Sequence, residues 1–289
     1  MIDPRFGDPL DRQALTLASG DAESGTLDGG GHLYPVVGGI PFLVPDPMGF
    51  VAAHRDAILA WLVEAGAATS AAVEVIREFA EGARGAEAAT FSDDWTADEA
   101  GQLSGTFGEG VSASWGSQLR DLLGTLGDPR DPIVEAVGDA WRIVEVGPGA
   151  GVLAERFADR ELLLVDRSPR ALSTAARRAP KATLAVMEAE FLALAPESID
   201  AVVAANVVDL LSDPLGFLER AADALMPKGR LVLTTPDPWP WDENRDAAEE
   251  LMGHLGLRLV EFRDGLAWPR AHGPRQLQLY MTQLVVAEK

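Results

Sequence analysis

The chain has 289 residues, a length that suits one large domain or two small ones. Asp and Glu together number 45 against 24 Lys and Arg, and the resulting net charge of −21 makes nucleic acid and anionic membrane surfaces poor partners. The absence of cysteine excludes disulfides, thiolate metal sites and a cysteine nucleophile.

The acidic residues are concentrated in one half of the chain. Residues 1–140 hold 23 acidic and 7 basic side chains, an excess typical of a solubilising surface. An acidic wall that attracts a cationic substrate is the alternative interpretation. The N-terminus has no signal-peptide pattern, and no apolar run approaches the ~18 residues of a bilayer span. We therefore expect a cytoplasmic protein with no membrane partner.

The first half of the chain predicts short strands followed by helices. Residues 14–46 alternate glycine clusters with apolar runs, which indicates β segments and turns. From Phe50 to about Ala83, apolar residues recur at three- and four-residue intervals, which predicts helix. Residues 84–110 indicate a loop with one short helix. Further helices are predicted over residues 111–126 and from Asp131 onward.

After Trp141 the pattern alternates between strand and helix. Apolar runs at 142–147, 161–166, 182–187, 199–206 and 229–235 are separated by stretches with helical spacing. This alternation predicts a parallel sheet covered by helices on both faces. Two alternating runs at the C-terminus, LRLVEFRDG and QLQLYMTQLVVAE, predict a closing antiparallel pair joined by a Pro/Gly-containing connection.

The most informative segment is VEVGPGAG, residues 144–151, which follows a predicted strand and precedes a predicted helix. Glycines at such a turn allow a ligand to approach the backbone closely and leave amide donors at a helix N-terminus. The pattern is GxGxG, because Val152 stands where the dinucleotide-binding motif GxGxxG has its last glycine. The motif alone is also compatible with a purely structural turn.

Asp166 strengthens the ligand interpretation. It ends the next predicted strand, 19 residues after Gly147, where a carboxylate can accept both hydrogens of a ribose diol. The alternative is that Asp166 caps the helix beginning near Ser168. The spacing favours the diol.

Four segments in order resemble class I S-adenosylmethionine-dependent methyltransferases, from about Arg142 to the C-terminus. VEVGPGAG resembles the family's first motif and VDRSPRAL its ribose motif. MEAEFLALAPESIDAVVAANVVDLL resembles the stretch around the fourth strand, and LMPKGRLVLTTP resembles the turn before the fifth. The resemblance implies S-adenosylmethionine as cofactor. The residues it implies at the cofactor are Glu145, Gly147, Gly149, Gly151, Asp166, Arg167, Glu188, Ala189 and Asn206.

The resemblance also implies a role for each position. Glu145 and the glycine loop would hold the methionine end, Asp166 the ribose hydroxyls, and Arg167 would lie along the adenine. Glu188, where the family more often has Asp, would meet the adenine edge with the Ala189 backbone. Asn206 would lie beneath the sulfonium and face the methyl acceptor.

The N-terminal segment carries a second resemblance. YPVVGGIPFLVPD resembles the end of the small zinc-ribbon-like domain found in tRNA-methyltransferase activator proteins. That family has two CxxC pairs before this point, and this chain has none, so His32 alone could not hold zinc. A Gly/Pro-rich hairpin of no particular ancestry is the alternative, and in either case we expect no metal.

The remaining candidates concern the methyl acceptor. Asp209 is a candidate general base or, equally, the N-terminal cap of a short turn. Trp239 and Trp241 follow the fifth predicted strand of the second half and could roof a substrate pocket, or pack against the next helix. His272, in a late loop, is placed near the same edge. His54 and His254 have the pattern of ordinary helix residues, and the four histidines show no metal-ligand spacing.

The expected fold is α/β: a doubly wound, mostly parallel seven-stranded sheet with an N-terminal β-ribbon and a helical cap. The domains are residues 1–48 (degenerate ribbon), 49–129 (cap or lid) and 130–289 (cofactor-binding domain). The expected function is methyl transfer from S-adenosylmethionine to a small-molecule metabolite, with secondary metabolism as a candidate setting. Alternatives are a protein methyltransferase, a catalytically inactive cofactor-binding partner protein, and a cofactor-dependent enzyme of other chemistry.

Overall fold

The computed structural model describes residues 2–83, 124–237, 241, 244–273 and 276–289, with the backbone alone for 270–273 and 276–277. The strands are β1 (Thr16–Gly20), β2 (Ser24–Gly29), β3 (His32–Val37), β4 (Ile40–Leu43), β5 (Arg142–Val146), β6 (Glu161–Asp166), β7 (Thr183–Met187), β8 (Ile199–Ala205), β9 (Leu225–Thr235), β10 (Arg258–Gly273) and β11 (Gln276–Glu288). The α-helices are α1 (Pro47–Ala65), α2 (Ser70–Gly82), α3 (Arg130–Val137), α4 (Pro169–Ala176), α5 (Pro214–Ala224) and α6 (Arg245–His254).

The second half of the chain forms the predicted doubly wound sheet. Its seven strands lie in the order β7-β6-β5-β8-β9-β11-β10, with β11 antiparallel to β9 and β10 antiparallel to β11. Strands β5, β6 and β8 are buried along nearly their whole length, because helices cover both faces of the parallel part. The strand order reverses at β5, between β6 and β8. The carboxyl ends beside this reversal are where open α/β sheets bind ligands.

The N-terminal strands extend the same sheet. Strand β4 lies parallel to β7, with Phe42 opposite Val186 and Leu43 opposite Met187, and β3, β2 and β1 follow antiparallel. The result is one sheet of eleven strands. The segment predicted as a separate ribbon over residues 1–48 is therefore continuous with the cofactor-binding domain, and β4 with α1 forms an additional strand–helix unit at its edge.

Helices α1 and α2 cover this extension. They pack against each other and against β2, β3 and α4. The Trp61 indole N–H donates to Ser173 Oγ at 2.6 Å, and Arg170 pairs with Glu64 at 2.9 Å. This differs from the predicted lid, which assumed that these helices have no sheet of their own to cover. The predicted loop and helix of residues 84–123 lie outside the described residues.

A buried carboxylate stabilises the N-terminal hairpin, which consists of the antiparallel strands β1 to β4 and the residues that precede them. Asp8 is fully buried and accepts hydrogen bonds from the Tyr34 hydroxyl at 2.8 Å and from the amides of Leu10 and Asp11. His32 Nδ1 lies 3.0 Å from the same carboxylate. Although burial alone would raise it, these donors hold the pKa of Asp8 below its ordinary value. The hairpin is thus cross-linked by hydrogen bonds between side chains and backbone.

Two local predictions differ from the structure. The helix expected after the glycine loop is a single 3₁₀ turn, Ala154–Phe157, because Gly151 has a positive φ and only a few residues remain before β6. The C-terminal connection is also shorter than expected, since β10 continues as strand through His272 to Gly273. Among the described helices, none is both long and apolar enough to cross a bilayer.

Candidate functional site

The glycine loop after β5 has the conformation that only glycine adopts readily. Gly147, Gly149 and Gly151 have φ values of 66°, 54° and 77°, all in the left-handed region. A Cβ on Gly147 would lie 2.6 Å from the Val207 side chain, and one on Gly151 would lie 2.6 Å from the Ala175 backbone. The first glycine thus leaves room for the Val207 side chain, which follows β8, and the third lets the loop pack on α4. The loop is a close-approach turn at the carboxyl edge.

Glu145 is an ionisable side chain enclosed in the core beneath this loop. It is 2% exposed, and its Oε2 atom has no hydrogen-bond partner among the described residues. Burial raises the pKa of Glu145 to about 8. A carboxylate left in this state is a receptor for a cation, because a positive ligand group would restore the interactions that burial removes.

Asp166 ends β6 and does not cap the following helix. The N-cap of α4 is Ser168, whose hydroxyl accepts from the Ala171 amide, and Asp166 accepts from the Ser168 amide at 2.9 Å. This answers the alternative that the sequence left open. Burial raises the pKa of Asp166 to about 6, against the lowering effects of the Ser168 amide and the Arg167 charge. Its carboxylate lies at the carboxyl end of β6 and does not cap a helix.

Arg167 and Glu188 form the next part of the edge. Arg167 Nε is buried without a hydrogen-bond partner among the described residues. Glu188 directly follows β7, and Ala189 begins a 3₁₀ turn behind it. Burial raises the pKa of Glu188, while the charges of Arg167 and His54 lower it and that of Glu190 raises it. Glu188 therefore lies within electrostatic range of Arg167 and His54.

His54 is a residue of this edge that the sequence did not indicate. It is 3% exposed, lies in the second turn of α1, and contacts the Phe50 ring with centroids 4.7 Å apart. It lies within electrostatic range of Glu188 because β4 pairs with β7, which brings the start of α1 to the carboxyl end of β7. No local pattern marks this position, since the pairing of strands separated by more than 140 residues decides it.

Asn206 follows β8 in a strained conformation. Its φ is 57°, its amide donates to the Thr234 carbonyl at 2.8 Å, and its Oδ1 accepts from the Thr234 hydroxyl at 3.0 Å. A non-glycine residue in this region is held there by its surroundings and occurs often at functional sites. Both bonds to β9 fix the Asn206 side chain at the strand-order reversal.

Asp209 lies in the 3₁₀ turn Val208–Leu210 but is not its cap, because Val207 occupies that position. Its Oδ1 atom is buried without a hydrogen-bond partner among the described residues. Burial raises the pKa of Asp209 and the charge of Asp237 raises it further, while the Thr235 hydroxyl lowers it. The capping alternative is therefore wrong, and a carboxylate with raised pKa remains at the edge.

The predicted substrate-side aromatics have different outcomes. Trp241 is 1% exposed and belongs to the core packed under α5 and α6; its indole N–H donates to Gln283 Oε1 at 2.7 Å. It therefore takes the packing position that was the alternative to a pocket roof. Trp239 and the side chain of His272 lie outside the described residues. Among the described residues no group of three His, Asp or Glu side chains could hold a metal ion.

Comparison with known proteins identifies this part of the chain. Residues 144–233 match the family model described as a methyltransferase domain. The ubiquinone biosynthesis O-methyltransferase of Cereibacter sphaeroides strain KD131 is 33% identical over 103 residues, which cover 34% of this chain and 42% of the relative. The protein of that name from Methylocella silvestris is 31% identical over 127 residues, or 40% of this chain and 50% of the relative. The matches thus span half or less of these curated relatives.

Among solved structures, a putative methyltransferase from Bacillus halodurans C-125 superposes with a TM-score of 0.46 at 12% identity, covering 56% of this chain and 98% of the other. The family match lies on β5 to β9, the strands that carry the glycine loop and Asp166. These strands are a methyltransferase domain of the class I S-adenosylmethionine-dependent type. The resemblance of residues 14–46 to a zinc ribbon stays a prediction.

Proposed function

We propose that the protein transfers the methyl group of S-adenosylmethionine to a hydroxyl of a small-molecule acceptor. The observation that carries this is the set of unsatisfied or strained groups along the carboxyl edge from β5 to β8: Glu145, Arg167, Asn206 and Asp209. The names of the relatives, O-methyltransferases, support oxygen as the accepting atom.

The residues fit the cofactor on chemical grounds. The partnerless Oε2 of Glu145 suits the ammonium group of the methionine end, and the glycine loop follows Glu145 directly in the chain. Asp166 suits the ribose diol. The buried, unpartnered Nε of Arg167 beside Glu188 suits the adenine end. When bound, the cofactor supplies a methyl group on a positively charged sulfur, an electrophile that needs no metal.

The chain's own contribution is positioning and proton removal. Asn206, fixed to Thr234, lies at the end of β8, and Asp209 follows three residues later on the side of the acceptor. Glu145 and Asp166 would hold the cofactor that supplies the methyl group, and Asp209 would take the proton that the acceptor hydroxyl loses as it is methylated. Holding the two reactants in line accounts for most of the rate enhancement.

Calorimetric titration with S-adenosylmethionine tests the proposal. The parent should bind it, and Asp166→Ala should weaken binding on the order of 100-fold, because two charge-assisted hydrogen bonds of ~1.5 kcal/mol each are lost. Asp159→Ala, an exposed position before β6, is the matched control and should bind as the parent does. Equal affinity of Asp166→Ala and parent would reject this placement of the ribose.

A second measurement tests the transfer. Incubation with methyl-labelled S-adenosylmethionine and a metabolite extract should move label into a small molecule. Label recovered on protein would indicate a protein methyltransferase. Cofactor binding without any transfer would favour an inactive binding partner.

A further inference from the structure

The core beside Asp209 contains a hydrogen-bond donor that nothing satisfies. Gln283 on β11 is 3% exposed, and its Nε2 atom has no partner among the described residues. A buried amide without partners costs about 1–3 kcal/mol, so natural structures keep few of them.

The orientation of this amide follows from chemistry. Trp241 Nε1 lies 2.7 Å from Gln283 Oε1, and an indole N–H can only donate. The amide oxygen therefore faces Trp241, and both N–H groups of Nε2 point elsewhere. The hydrogen bond from Trp241 thus fixes the Gln283 side chain with its oxygen occupied and its two N–H groups unpaired.

The same face of the sheet brings this donor close to Asp209. Gln283 is directly opposite Thr235 in the antiparallel pair of β11 and β9, so the two side chains lie on one face with Cβ atoms ~5 Å apart. Thr235 in turn contacts the Asp209 carboxylate, whose Oδ1 is a buried acceptor without a donor. The unpaired Nε2 donor of Gln283 and the unpaired Oδ1 of Asp209 therefore lie on either side of Thr235, where we place the methyl acceptor.

We propose that Gln283 binds a second oxygen of the methyl acceptor, so that the site takes hydroxylated compounds with a hydrogen-bond-accepting oxygen a few bonds from the reacting hydroxyl. The inference rests on the proposed function, because it requires Asp209 to face that hydroxyl. One ligand then satisfies both orphan groups: its hydroxyl donates to Asp209 Oδ1, and its second oxygen accepts from Gln283 Nε2.

Methyl transfer to two matched panels tests this specificity. One panel has neighbouring oxygens (catechol, 2-hydroxyacetophenone), and the other has a lone hydroxyl on a similar frame (phenol, 2-ethylphenol). Mass spectrometry of the products should show kcat/KM at least tenfold higher for the first panel, the value of one hydrogen bond of ~1.4 kcal/mol. Equal rates on both panels, or no transfer to either while S-adenosylmethionine binds, would overturn the proposal.

Variants of Gln283 assign the preference to this side chain. Gln283→Leu should lower kcat/KM about tenfold on the first panel and leave the second panel and S-adenosylmethionine affinity unchanged. Gln278→Leu, exposed on the same strand, is the control and should change neither. If Gln283→Leu does not fold, Gln283→Met is tested in its place, because methionine keeps the length of the side chain. An unchanged preference in the folded variant rejects Gln283 as the anchor, whereas failure to bind S-adenosylmethionine in the parent rejects the proposed function itself.

Discussion

Glu145 shows how a functional side chain can work against stability. Its pKa is about 8 in the folded protein against an ordinary value near 4.5, so between these pH values the folded state holds the proton more tightly than the unfolded state. The stability it contributes is fully present below about pH 4.5 and is lost as pH rises through 8. A cationic cofactor group paired with Glu145 would reverse this penalty.

Replacing Glu145 should therefore have opposite effects on stability and on binding. We expect Glu145→Gln to match the parent in Tm near pH 5 and to exceed it increasingly up to pH 8.5, by a few kcal/mol in unfolding free energy. Its affinity for S-adenosylmethionine should fall. Thermal melts across this pH range measure the first effect, with the exposed Glu78→Gln as control. A pH-independent difference in Tm would show that Glu145 is not protonated in the free protein.

The second prediction at the residue scale concerns Asp209. If it removes the acceptor proton, Asp209→Asn should lower turnover by ~100-fold or more with cofactor affinity unchanged, because an amide cannot accept a proton near neutral pH. In the parent, turnover should rise with pH through the raised pKa of Asp209, and this step should vanish in the variant. Single-turnover rates decide the matter, with the exposed Asp139→Asn as control. A near-parental rate would end the case for a carboxylate base here.

At the scale of elements, the N-terminal hairpin is an extension of the sheet with its own internal fastening. The Tyr34–Asp8 hydrogen bond joins β3 to the first residues of the chain, and both partners are fully buried. The β4–β7 pairing then ties the hairpin to the methyltransferase domain. Loosening the hairpin should therefore displace His54 from its position at the carboxyl edge of the sheet.

Removing the Tyr34 hydroxyl tests this fastening. Tyr34→Phe should destabilise the protein by about 2 kcal/mol, since a hydrogen bond to a buried carboxylate contributes about 1.5–3 kcal/mol. Tyr280→Phe, on the half-buried part of β11, is the control and should cost less. Denaturant melts give the difference.

The purified protein should contain no stoichiometric zinc, and chelators should leave its Tm unchanged; about one zinc per chain by elemental analysis would contradict this.

The elements also show where prediction from sequence succeeded. Strands β5 to β9 were placed within a few residues, because buried parallel strands are continuous apolar runs and the helices between them have strong periodicity. The turn after the glycine loop was predicted as a full helix, since its residues have helical spacing. The structure has only one 3₁₀ turn there, after Gly151 has packed closely against α4, a tertiary contact that local spacing does not encode.

At the scale of the whole molecule, the net charge of −21 means that acidic side chains far outnumber basic ones. Their mutual repulsion destabilises the compact state, and exposed ion pairs such as Arg77–Glu81 contribute little against it. Screening of this charge repulsion by salt should therefore stabilise the folded protein.

Raising NaCl from about 20 to about 200 mM shortens the Debye length from roughly 20 to 7 Å, and we expect Tm at pH 7.5 to rise by a few degrees. The effect should disappear near pH 4.5, the isoelectric point, where the charges balance. Calorimetric scans at both pH values provide the comparison. A Tm that falls with salt at pH 7.5 would mean that ion pairs outweigh the net repulsion.

The sequence by itself determined the strand–helix alternation, the glycine loop, Asp166 at the tip of the second strand, and Asp209 and Asn206 after the fourth. Each of these depends on spacing along a short stretch of chain. Only the tertiary structure decided that β4 pairs with β7, which brings His54 within electrostatic range of Glu188. It also decided that Ser168 and Val207 take the cap positions, and that Trp241 is buried against Gln283. These features depend on contacts between residues distant in the chain, which local periodicity and composition do not encode.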